Sequence, residues 1–195
     1  TAQIHLHPRA AELFHVKPTL IVMVKEPHPG RVKTRLGRDI GMVGAAWWFR
    51  HQTRALLCRI EDPRWQVVLA VAPDVEGLQS RIWPAHLPRW PQGRGNLGDR
   101  MARMLRAAPG PACVIGADIP GINRKELARA FAALGNHGGY WLVGLKHPRR
   151  APPSLFDAVR WSGPHALSDS RATLPGYRIA EVSTLRDVDE IHDLP

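Results

Sequence analysis

The sequence predicts an α/β sandwich, three layers deep, around a mainly parallel sheet, and three observations predict it. Short apolar, β-branched runs recur at Thr19–Lys25, Trp65–Val71 and Ala112–Gly116. Stretches of helical periodicity separate them, so strand and helix alternate from Thr19 onward. No internal repeat or low-complexity linker breaks that order, and 195 residues make one domain with enough chain to bury a core.

Each element can be justified in turn. Residues 1–18 read as an N-terminal extension with a short helical piece around Arg9–His15, and the domain runs 19–195. TLIVMVK at Thr19–Lys25 is apolar on both faces, as a central parallel strand is. Glu26–Gly30 holds two prolines and a glycine and must be a loop. Met42, Ala46, Phe49, Thr53, Leu56 and Ile60 alternate steps of four and three, which places them on one helical stripe. Trp65–Val71 is the second strand, ended by Pro73–Gly77. Leu97, Met101, Met104 and Ala108 trace another helix, and Ala112–Gly116 the third strand. Asn123 then caps a helix with Glu126 three positions on, as in a capping box. Tyr140–Leu145 and Tyr177–Val182 read as two more strands, and Asp187 as the cap of a last helix near Val188.

Hydrophobic content of 44% with 23% charged residues is globular and excludes a disordered chain. Apolar runs such as Leu20–Val24 are far too short to cross a bilayer, and residues 1–18 have no uninterrupted apolar segment of the secretory kind. Cys58 and Cys113 form no metal-spaced pair and read as small buried thiols of a reducing, cytoplasmic protein. Twenty-seven Lys and Arg against 17 Asp and Glu leave a formal charge of +10, which favours anionic partners. Basic nucleic-acid binding is the alternative such a charge raises. Against it, no five basic residues run together, the seven tryptophans are scattered, and no RNP, KH or zinc pattern occurs.

In such a sheet, ligands sit beyond the carboxyl ends of the strands. The segment after the first strand, Lys25-Glu-Pro-His-Pro-Gly-Arg-Val-Lys-Thr-Arg35, gathers Lys25, Arg31, Lys33 and Arg35 in one loop. Gly30 allows close backbone approach, and four cations there suit a di- or triphosphate. The loop is neither a Walker A motif nor a Rossmann fingerprint. Asp118 follows the third strand by two residues, in Gly-Ala-Asp-Ile-Pro-Gly, where a carboxylate is placed to hold Mg²⁺ (or Mn²⁺) between phosphate oxygens. No His pair of metal-binding spacing occurs, so zinc is not indicated.

LIVMVKEPHPGRVKTRLG resembles the signature of a bacterial family described as glycosyltransferase-like or DUF2064. Gln92…Gly95-Asn96-Leu97-Gly98-Asp99-Arg100-Met101, Gly116–Gly121, Gly138-Gly139-Tyr140-Trp141-Leu142 and Asp187-Val188-Asp189 match it in order. The resemblance implies the nucleotide-diphospho-sugar transferase (GT-A-like) fold, related to molybdenum-cofactor nucleotidyltransferases and phospholactate guanylyltransferase. It further implies that Lys25, Gly30, Arg31, Lys33, Thr34 and Arg35 embrace the phosphates and that Gly95, Leu97 and Gly98 lie under the base or ribose. Asp187 and Asp189 are its implied partners for Asp118 on the metal. Lys33, Arg35 and Asp118 would then carry the chemistry, the two cations by neutralising the leaving phosphate and Asp118 by holding the metal. Asn96 stands where the family commonly has Asp. A further strand and an acidic loop are also expected ahead of Gly138, where only Gly135-Asn136-His137 remain. The expectation is a chain break between His137 and Gly138, with residues omitted rather than deleted.

The expected function is therefore Mg²⁺-dependent nucleotidyl or glycosyl transfer. The donor is a nucleoside triphosphate or nucleotide sugar, and the acceptor a small phosphorylated molecule or sugar. The basic loop leans toward nucleotidyl transfer. Non-catalytic nucleotide binding is the alternative should the acidic loop be truly absent.

Overall fold

The first strand fixes the frame. In β1 (Thr19–Lys25), Leu20, Val22 and Val24 point to one side and Ile21 to the other, and all four are buried. A strand buried on both faces sits inside a sheet covered by two helical layers. The computed structural model describes residues 16–134, 138–139, 141–161, 164–179, 181–183, 185 and 187–194. β2 (Gln66–Ala72), β3 (Arg89–Pro91) and β4 (Ala112–Gly116) run parallel to β1, while β6 (Leu142–Leu145) pairs antiparallel with β4. β5 (Gly138–Gly139) adds a two-residue edge antiparallel to β6. The sheet order is β3-β2-β1-β4-β6-β5. Strand order thus reverses on either side of β1, opening a crevice beyond its carboxyl end, between the loops that follow β1 and β4.

One face is covered by α2 (Met42–Ile60) and α5 (Arg124–Ala133). There Phe49, Leu56, Leu57, Ile60, Leu127 and Ala130 meet Leu20, Val22, Leu69, Cys113 and Ile115. The other face is covered chiefly by α4 (Leu97–Ala107), whose Met101, Ala102, Met104 and Leu105 pack with Ile21, Ala70 and Val114. The short helices are α1 (Leu36–Ile40), α3 (Asp74–Gln79) and α6 (Ala166–Ala172). The three-layer α/β/α sandwich is thereby established.

Several details differ from the sequence reading. Cys58 is exposed, because the stripe of α2 that faces the core carries Leu56, Leu57 and Ile60 and turns residue 58 outward; only Cys113 is buried. Asn123 does cap α5, accepting from the N–H groups of Lys125 and Glu126, but Glu126 instead bonds Arg129 and Ser183. No strand forms among the described residues of 177–182, which are tethered from outside rather than laddered. The Tyr177 hydroxyl bonds the Arg150 carbonyl, and just beyond, Trp141 Nε1 bonds the Ser183 carbonyl. The last helix is a three-residue 3₁₀ turn, Ile191–Asp193, capped by Glu190 and not by Asp187. β5 is formed by Gly138–Gly139 themselves; the strand and acidic loop expected ahead of Gly138 fall on residues 135–137, outside the described residues. The junction of His137 with Gly138, and the piece Arg9–His15, lie outside the described residues.

Candidate active site

β1 hands its last residue, Lys25, to a loop that is anchored before it turns. The Glu26 N–H bonds the Ala72 carbonyl, and the buried Glu26 carboxylate accepts from Trp83 Nε1 at 3.0 Å. Gln92, also buried, donates from Nε2 to the carbonyls of Val24 and Ala70, tying β1 and β2 at the same edge. Gly30 adopts φ +74°, so glycine serves the turn here and does not itself line the cavity. Lys33 adopts φ +45°, a left-handed conformation that costs a residue bearing a Cβ and persists only where surroundings fix it.

The surroundings are carboxylates. Lys33 Nζ donates to Asp118 Oδ2 at 2.7 Å and to Asp189 Oδ1 at 3.0 Å, with its side chain only 6% exposed. Arg35 Nη1 reaches Asp189 Oδ2 at 3.2 Å, from a side chain 61% exposed. Burial by itself would lower the Lys33 ammonium, but attraction and hydrogen bonds from Asp118, with those from Asp189, outweigh it. The net effect holds Lys33 above the ordinary lysine range.

Asp118 is positioned by the loop after β4. Arg59, on α2, pins that loop by donating to the carbonyls of Pro120 and Ile122, both at 2.8 Å. Asp187 and Asp189 arrive from 69 and 71 residues further along, and one residue brings them. Val188 is 1% exposed, and its N–H bonds the Asp118 carbonyl at 3.2 Å. With Val188 turned into the core, its two neighbours are turned together toward Asp118, as i and i+2 are in an extended segment. Asp193 then accepts from the N–H groups of Asp189 and Glu190, fixing the backbone beyond. One oxygen from each of Asp118, Asp187 and Asp189 lies within 4.8 Å of the others.

All of this borders a cavity of about 1300 Å³. Lys25, Arg31, Thr34, Gly95 and Leu97 line it alongside Lys33, Arg35 and the three aspartates. The four cations of the loop differ in their partners. Lys33 and Arg35 turn to the carboxylates, while Arg31 lies 3.9 Å from Glu76, which also holds His28. Gly98 does not line the cavity: a Cβ there would stand 2.9 Å from both Phe156 Cβ and Trp161 Cζ2, so glycine serves helix packing. Asn96 is the cap of α4, in a reciprocal capping box with Asp99, which explains an Asn at that position without any ligand. Sequence reasoning missed Lys146, Arg150, Arg178 and Trp161, which line the same cavity. Scattered basic residues beyond the last readable strand carry no local signal that could have found them.

The fold is that of the nucleotide-diphospho-sugar transferases. A crystal structure from Desulfovibrio desulfuricans G20, provisionally described as such a transferase, matches with TM-score 0.74 at 24% identity. The match covers 89% of this chain and 83% of that one. Rv0371c from Mycobacterium tuberculosis H37Rv (TM-score 0.50, 14% identity, 91% and 95% covered) is similar more distantly. So is its homolog from Mycobacterium sp. strain JC1 (0.53, 14%, 91% and 93%). No curated protein matches. The chain belongs to the bacterial family DUF2064, described as uncharacterized proteins conserved in bacteria, whose model matches residues 58–163. That span includes Asp118 and the segment Gln92–Met101, and lies between the basic loop and the two C-terminal aspartates. No helix among the described residues is long and apolar enough to cross a membrane.

Proposed function

We propose that the protein is a cytoplasmic, divalent-metal-dependent transferase acting on a nucleoside triphosphate or nucleotide sugar. The observation that carries this reading is the juxtaposition of Lys33 and Arg35 with Asp118, Asp187 and Asp189 at the switch point of the sheet. The donor set fits a hard cation: it is all oxygen and anionic, as Mg²⁺ or Mn²⁺ requires, and Mg²⁺ needs only one or two such carboxylates. Asp118 would hold the ion, with Asp189 and Asp187 at its side. When bound, the metal supplies Lewis-acid stabilisation of charge on phosphate oxygens.

The remaining work falls to the chain. Lys25, Arg31 and Arg35 are exposed cations beside the crevice and would orient a di- or triphosphate by charge-assisted hydrogen bonds. Lys33, buried and fully charged, is set to stabilise the leaving group. In nucleotidyl transfer an acceptor oxygen bonds to the α-phosphorus as the bond to the β-phosphate oxygen breaks. The electron pair leaves on pyrophosphate, next to these cations. Glycosyl transfer would release a nucleoside diphosphate into the same charges. No protein nucleophile is required, and the density of cations favours a triphosphate.

The test is thermal-shift and calorimetric titration with a panel of nucleoside triphosphates and nucleotide sugars, with and without Mg²⁺. One ligand at about a hundred times its Kd should stabilise the protein by about 2.7 kcal/mol, and only with metal present. A panel that leaves the melting temperature unmoved sinks the proposal.

A further inference from the structure

The cavity is larger than one ligand requires. Small-molecule sites occupy roughly 300–1,000 Å³, and this one has about 1300 Å³ with a lining that continues well past the carboxylates. Sheet topology defines its second end. β6 runs antiparallel to β4 with Leu145 opposite Ala112, so Lys146 leaves the sheet where β4 begins. Asp118 instead follows the edge where β4 finishes. The four residue steps of β4 alone put these backbone edges roughly 13 Å apart, at about 3.3 Å per residue.

The cavity-lining charge at the second end has one sign; Glu181, which does not line the cavity, is held by Arg171. Lys146, Arg150 and Arg178 are exposed cavity-lining residues, and none has an ion-pair partner among the described residues. The carboxylates of the cavity lining are Asp118, Asp187 and Asp189, all at the first end. The cations are held as a group: the Tyr177 hydroxyl donates to the Arg150 carbonyl at 3.0 Å, fixing the segment that carries Arg178 against the turn that carries Arg150. Phe156 and Trp161, edge-on with centroids 5.7 Å apart, also line the cavity, against Gly98 of α4. Unpaired like charges held together on a concave surface repel one another and focus a positive potential, which an anion relieves and a neutral sugar does not.

We propose that this second end is an acceptor subsite for an anionic group, phosphate or carboxylate, on an elongated molecule whose reactive end reaches the carboxylate cluster. The inference rests on the transferase reading for the word acceptor, but the anion site itself does not.

Hexyl phosphate, hexanoate and hexanol, titrated against intrinsic tryptophan fluorescence, test it. Either anion should bind saturably and hexanol should not, and the better anion identifies the group. The triple variant Lys146→Gln, Arg150→Gln, Arg178→Gln should lose anion affinity by about tenfold or more, and Lys146→Gln alone by a smaller factor. The double variant Lys33→Met, Arg35→Met should keep it. Hexanol binding as well as the anions overturns the proposal, as does an anion affinity unchanged in both the triple and the single variant. So does an affinity abolished by the double variant. Parallel titration of the triple variant with Mg²⁺-nucleotide separates the two claims. Nucleotide binding with an insensitive anion response removes only this inference, and a sensitive anion response without any nucleotide binding removes only the transferase reading.

Discussion

At the scale of single residues, Lys33 is the most informative side chain. Its ammonium is bonded to two of the three carboxylates that would hold a metal, so lysine and metal are rivals for the same oxygens. Lys33→Met should therefore act in opposite directions on two ligands. Nucleotide binding should weaken by about 1.5–3 kcal/mol, the range for hydrogen bonds to charged groups, and Arg35→Met, half in solvent, should fall at the low end. Affinity for Mg²⁺ alone should rise in Lys33→Met, because Asp118 and Asp189 lose their resident counter-charge. Calorimetry with each ligand separately checks both signs; a Lys33→Met protein with both affinities unchanged would remove Lys33 from the site. Asp169 offers a residue-scale check on geometry away from the cavity. Hydrogen bonds from the Arg160 side chain and backbone hold its carboxyl down to about 2. Because the folded value is depressed, the pair's contribution is complete above the ordinary carboxylate range and is lost as pH falls through about 2. A carboxyl NMR titration should place the Asp169 midpoint there, and a midpoint near 4 would show the pair to be broken in solution.

At the scale of elements, the segment ahead of α4 separates two roles that the sequence ran together. Gly95 adopts φ +111° and lies against Asp99, Asn96 closes the capping box, and Gly98 lets α4 approach Phe156 and Trp161. Asn96→Ala removes the cap and should destabilise the fold by about 0.5–2 kcal/mol in denaturant unfolding, whereas Asn96→Asp keeps the acceptor and should be close to neutral. Gly98→Ala should cost about 1–3 kcal/mol as an overpacked helix contact. Its Cβ meets the Phe156 backbone carbonyl at 3.1 Å as well as two side chains, so no rotamer change relieves it. A Gly98→Ala protein as stable as wild type would return that glycine to a ligand role.

At the scale of the whole molecule, two buried clusters clamp one sheet, and β1 belongs to both. Leu20 is fully buried between β1 and the layer of α2 and α5, so Leu20→Ala should cost about 2–5 kcal/mol with no effect on nucleotide affinity beyond that of lost folded protein. Chemical unfolding gives the first number and titration at low temperature the second. The site itself is a whole-molecule property, since Asp118 and Asp189 are 85 and 156 positions from Lys33 in sequence.

The sequence by itself determined the sandwich, because β1, β2 and β4 are apolar on both faces and only a doubly covered parallel sheet accommodates such strands. It also determined that Lys25–Arg35 and Asp118 lie beyond the carboxyl ends of central strands, since both closely follow β1 and β4. Tertiary structure alone decided which of those cations face carboxylates and which face solvent. It decided that Asp187 and Asp189 flank a buried Val188 instead of capping a helix, and that the described residues of 177–182 form no strand and are tethered through Tyr177 to Arg150. The reason is the range of the interactions involved. Strand and helix patterns are written in neighbours two to four residues apart. The carboxylate cluster and the second basic end depend on one backbone hydrogen bond from Val188 to Asp118 and one side-chain bond from Tyr177 to Arg150. No local periodicity encodes contacts of that reach.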